Sequence, residues 1–178
     1  MKQRQKNKGL FPLKKQHDDK AMLIFESTFK TKKDQALIFN FNDFLHDLTG
    51  LNVSFFLNQK SLGNKQIVIA SYALRAAQIE TFVFVHFNAK SIITTLKAIF
   101  DIIDHADSQP DVNDLASMLV YIERNVEPSP TTSYIVQQFR EIMIFAGQIN
   151  PGLLQHFLDT KAYFDGDNKG APEGATVH

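Results

Sequence analysis

The stretch Gln66-Ile-Val-Ile-Ala-Ser-Tyr-Ala-Leu-Arg-Ala-Ala-Gln-Ile-Glu-Thr-Phe-Val-Phe-Val-His-Phe87 decides the fold. Its two ends, Ile67–Ala70 and Phe82–Phe87, are β-branched and aromatic runs of the kind that fill strands. Its centre, Tyr72 to Glu80, is rich in strong helix formers and carries no breaker on either side. Read as one helix, it places Ser71, Arg75, Gln78 and His86 on a narrow polar stripe and leaves almost everything else apolar, as befits the buried centre of a bundle. Read as strands, it needs a turn inside Leu74 to Glu80, a segment without Gly or Pro. The expected fold is therefore mainly α, a single helical-bundle domain with a buried central helix. The alternative is an α+β domain with a small antiparallel sheet within residues 52–87, where Asn52 to Asn58 is the first strand and Gly63-Asn64 a turn, followed by a helical C-terminal half.

Downstream the pattern is plainer. Ile92, Leu96, Ile99 and Ile103 recur at helical spacing behind Asn88 or Ser91 as a cap, and Val112, Leu115, Leu119, Ile122 and Val126 repeat the period until Pro128 and Pro130. Ile135, Phe139, Ile142, Ala146 and Ile149 form the next helix after the hydroxyls of Thr131 to Ser133. Asn150 then reads as the N-cap of a last helix with Pro151 in its first turn, with Leu154, Phe157, Leu158 and Phe164 along one side until Gly166. Upstream, Leu37, Phe41, Phe44, Leu45 and Leu48 share one face of a helix that Gly50 ends.

The 178 residues suffice for one sizeable core. Nineteen Lys and Arg balance nineteen Asp and Glu, yet ten of the basic residues precede residue 34, where only Asp18, Asp19 and Glu26 oppose them. This split implies a basic flexible arm over residues 1–20, a single globular domain over 21–164 and a Gly-rich flexible tail over 165–178. The chain has no cysteine, which removes disulfides and thiolate chemistry and fits a cytoplasmic location. No uncharged run approaches the roughly 20 residues that span a bilayer, and neither a secretory signal nor a mitochondrial presequence is expected.

Few residues invite chemistry. Asp101 and His105 stand one helical turn apart but lack a third ligand at metal-site spacing. Asp165-Gly-Asp-Asn-Lys-Gly170 has the first aspartates of a calcium loop, but Lys169 and Thr176 occupy positions that need acidic ligands. His86 and Glu80, and Asp43, His46 and Asp47, read as ordinary core or surface polar groups. There is no GxSxG elbow, no GxGxxG and no P-loop, so no cofactor or metal is expected and nothing favours an enzyme. Sixteen phenylalanines without a tryptophan exceed what one helix stripe absorbs, and Lys8-Gly-Leu-Phe-Pro-Leu-Lys-Lys15 sets an apolar cluster between cations. The expectation is a cytoplasmic adaptor or accessory subunit that binds another protein through Leu10, Phe11, Lys14 and Lys15, with Phe39 and Phe41 secondary. The alternative is a nucleic-acid-associated accessory factor, ribosome- or DNA-binding, whose arm neutralises phosphate.

Overall fold

The structure, a computed structural model, describes residues 15–106 and 114–166, the side chains of 15–19, 164 and 165 apart. The backbone falls into two compact units, Met1–Asp104 and His105–His178. In the first, helices α1 (Lys15–Thr28) and α2 (Lys32–Thr49) lead into strands β1 (Asn52–Leu62), β2 (Lys65–Ala76) and β3 (Ile79–His86) and then helix α3 (Ala89–His105). The second holds α4 (Leu115–Asn125), α5 (Pro130–Ile149) and α6 (Pro151–Asp165). The expectation of an all-helical bundle around a buried helix is thus corrected: residues 66–87 are two strands of an antiparallel sheet of order β1-β2-β3, and the α+β alternative describes the chain.

The turn inside the deciding stretch is made without glycine. Ala76 pairs with Ile79, and the intervening Ala77 takes φ +51°, a left-handed conformation that Gly usually supplies. Arg75 and Glu80 face each other across it, with Arg75 Nε 2.9 Å from Glu80 Oε2. The β1–β2 turn is the expected one, with Gly63 at φ +59° between the paired Leu62 and Lys65.

β2 is buried on both of its faces from Ile69 to Leu74. On one face Tyr72 lies between Phe55 and Phe41, at ring distances of 5.0 and 5.1 Å, and its hydroxyl donates to the Ile38 carbonyl of α2 at 2.8 Å. A register shift in β3 opposite Ala70 and Tyr72, with Phe84 at φ +51°, turns two successive side chains, Val83 and Phe84, inward. Phe84 then meets Phe41 edge-on at 5.1 Å, and Phe100 of α3 joins the same cluster. Phe25 of α1 and Phe29, which follows that helix, close it against Phe55. Each such ring stabilises the fold by about 1.5–3 kcal/mol through burial, which is where much of the phenylalanine content goes.

The caps are local, and the one expected for α5 is corrected: Ser129 caps it, and the hydroxyls of Thr131 to Ser133 lie within its first turn. Thr31 Oγ1 accepts from the Asp34 amide and donates to its carboxylate, and Gly50 at φ +67° ends α2 by donating its amide to the His46 carbonyl. Asp114, Ser129 and Asn150 cap α4, α5 and α6, the last two followed at once by proline.

Candidate functional site

The polar clusters hold the fold rather than a reactive group. His86 Nδ1 lies 3.1 Å from Ser91 Oγ, but that hydroxyl donates to the Asn88 carbonyl at 2.7 Å. The ring nitrogen is then the donor, and the serine has no base to take its proton. Burial pushes the His86 pKa below its ordinary value, which keeps the ring neutral near pH 7. In the second unit Asp114 accepts from Ser117 Oγ at 2.9 Å and His156 Nε2 at 2.7 Å, besides capping α4. The carboxylate stands between hydroxyl and imidazole, whereas nucleophile activation needs the imidazole in the middle. This cluster ties α6 to the start of α4. Among the described residues no three His, Asp or Glu converge as ligands for a cation, and no helix is long and apolar enough to cross a membrane.

What remains is apolar surface. Among the described side chains of α6 none is fully buried: Leu153, Phe157 and Thr160 are half-buried against the unit, while Leu154 and Leu158, one turn apart, stay 43% and 51% exposed. Gly147 of α5 lets α6 approach closely, since a Cβ there would sit 3.1 Å from Leu154 Cβ. Ile144, on α5, is 58% exposed. Together Leu119, Met143, Ile144, Leu154 and Phe157 line a groove of about 380 Å³. Its rim carries the Arg140–Glu123 ion pair, with Arg140 Nε 3.0 Å from Glu123 Oε1, and Lys161. Lined by aliphatic and aromatic groups and edged by charge, the groove suits an apolar side chain presented by another polypeptide.

In the first unit the aromatic contacts of the helices fall on the sheet face of Phe55, Tyr72 and Phe84. The opposite face carries Phe56 and the 49% exposed Phe82, 5.9 Å apart across the small residues Ser71 and Ala73. A second groove, of about 490 Å³, has Thr28, Gln66, Ile67, Phe87, Asn88 and Lys90 among its lining residues. Among its described lining residues the ionisable group is Lys90.

The residues singled out in the sequence are distributed unevenly. Leu10, Phe11 and Lys14 lie outside the described residues, and Lys15 is the first residue of α1, inside the stretch expected as arm. Phe39 is half-buried with its ring 5.6 Å from that of Phe25. Phe41 is 0% exposed at the centre of the aromatic cluster, so its ring is occupied by the core. The groove between α5 and α6 was not legible as a site, because Leu154, Phe157 and Leu158 read as a single packing side. Comparison with protein-family models, with curated proteins and with solved structures finds no match to this chain.

Proposed function

We propose that this protein is a non-enzymatic cytoplasmic adaptor or accessory subunit that acts by binding protein. The observation that carries the reading is the uncovered apolar surface of Ile144, Leu154 and Leu158 above the groove floored by Leu119, Met143 and Phe157. Large aliphatic side chains grouped beside a concave, charge-rimmed surface are characteristic of protein interfaces, where a few anchors carry most of the affinity. The arm segment with Leu10, Phe11, Lys14 and Lys15 is the second binding element, matching cations for long-range attraction with apolar groups for contact.

The test is quantitative affinity capture from nuclease-treated lysate with the full chain, with a Leu154→Lys/Leu158→Lys chain and with a Leu10→Ser/Phe11→Ser/Leu13→Ser chain. A discrete protein lost from either variant, at unchanged circular dichroism, supports the reading. An identical capture profile for all three chains overturns it. A second reading, association with nucleic acid, is favoured by the ten basic residues ahead of residue 34. It requires an affinity that falls tenfold or more over a few-fold rise in salt, because each neutralised phosphate releases a counterion.

A further inference from the structure

Charge is divided between the two units. Residues 1–104 hold fifteen Lys and Arg against nine Asp and Glu, and residues 105–178 hold four against ten, so formal charges of +6 and −6 sum to a neutral chain with a pI near 7.0. Two copies of such a chain meet without net repulsion, and the encounter is attractive when the basic end of one faces the acidic unit of the other.

We propose that the groove between α5 and α6 is the docking site for the Lys8–Lys15 segment of a second copy of this chain. The proposal deepens the protein-binding reading and rests on it for the groove. The segment supplies what the groove lacks: Leu10, Phe11 and Leu13 for the floor of Leu119, Met143 and Phe157, and Lys8, Lys14 and Lys15 for an acidic unit. A cavity of about 150 Å³ admits one benzene, so about 380 Å³ has room for the Phe11 ring and a neighbouring leucine. On the rim Arg140 is already neutralised by Glu123, and Lys161 and Arg124 are outnumbered by the exposed Glu141 of α5, Asp159 of α6 and Glu127 of the loop between α4 and α5. Because arm and groove are different surfaces, the contact is head-to-tail, and each copy carries one donor and one acceptor.

The experiment has two arms. A fluorescein-labelled Lys8–Lys15 peptide is titrated with the full chain carrying Leu10→Ser, Phe11→Ser and Leu13→Ser, whose own segment no longer competes. Saturable binding is expected, weakened at least tenfold by adding Ile144→Lys and Leu154→Lys and by serine in place of the peptide's Leu and Phe. No binding, or binding indifferent to both changes, overturns the proposal. If the peptide fails while the groove variant still loses a captured foreign protein, self-docking falls and the adaptor reading stands. In the second arm, sedimentation of the nuclease-treated full chain is expected to show concentration-dependent association. The arm variant and the groove variant are each expected to be monomeric, and their mixture to form a closed 1:1 pair, since one retains only a groove and the other only an arm. A monomeric wild type, or a mixture of folded variants that stays monomeric, overturns it, as does association abolished by the nuclease.

Discussion

Replacing Ala77 by glycine tests the hairpin that distinguishes this fold from a bundle. Ala77 is exposed, so the substitution removes no packing, and its φ of +51° imposes a strain of about 1–2 kcal/mol on an L-residue. Glycine relieves that strain, while the extra freedom it gives the unfolded chain takes back about 0.4–1 kcal/mol. The net expectation is a stabilisation of about 0.5–1 kcal/mol, or a Tm about 3–6 °C higher for a unit of this size. A helix through Ala77 gives the opposite sign, because Ala→Gly in a helix interior costs about 1 kcal/mol. Urea denaturation followed by far-ultraviolet circular dichroism reads the difference. The midpoint is expected to rise at constant slope, and if the two units unfold in separate steps only one of them moves. Ala77→Val, which adds a β-branched side chain at a positive φ, is expected to lower the midpoint. A lower midpoint for Ala77→Gly would refute the hairpin.

Tyr72→Phe removes a hydrogen bond to the Ile38 carbonyl, which keeps its helical donor within α2, and is expected to cost about 0.5–1.5 kcal/mol at pH 7. Burial holds the Tyr72 pKa well above its ordinary value of 10, so the unfolded chain loses that proton first and stability falls as pH rises past about 10; in Tyr72→Phe this share of the alkaline slope disappears. The His86 pKa is lowered by burial, so the unfolded chain takes up a proton near pH 6.5 while the folded chain resists until lower pH. Stability is therefore lost as pH falls below about 6.5, and urea midpoints at pH 7.5 and 5 should differ less for His86→Gln than for the parent. Gly147→Ala puts a Cβ 3.1 Å from Leu154 Cβ. Displacement of α6 is expected to outweigh the gain of about 1 kcal/mol in helix propensity, seen as faster amide exchange in α6 with α4 and α5 unchanged.

The helices from α2 onward were legible because their signals are local, whereas α1, which begins inside the stretch read as an arm, was not. Gly50, Asn150, Pro151 and Gly166 mark helix ends where the backbone requires them, and the three-and-four spacing around Ile92, Leu119 and Phe139 gives α3, α4 and α5. The sheet was ambiguous for two physical reasons. β2 is buried on both faces, so the alternation that identifies a strand is missing from it. Its turn uses Ala77-Gln78, residues that carry no turn propensity, and tertiary packing holds a conformation that the local sequence disfavours. One signal was present: Arg75 and Glu80, five residues apart around a two-residue turn, form a cross-strand ion pair. The candidate site was less legible still. Phe41 stands out by composition but is consumed by its neighbours, whereas Leu154 and Leu158 look like any packing stripe until Leu153 and Phe157 are found to face the unit instead.

α6 shows how a helix comes to carry an unused apolar stripe. Short helices in water are marginal unless tertiary burial or end effects hold them. α6 has strong ends: Asn150 Oδ1 accepts from the Gly152 amide at 3.2 Å, Pro151 presets the first turn, and Gly166 at φ +76° closes the last by donating to the Tyr163 carbonyl. The 2.7 Å contact of His156 with Asp114 fixes its docking from the side. With end caps and a polar tether supplying its order, half-burial of Leu153 and Phe157 is enough, and Leu154 and Leu158 are released from core duty. A side chain on an already ordered helix brings no backbone ordering cost when another chain covers it, so the local chemistry that frees α6 from the core is consistent with the proposed docking on its outer face.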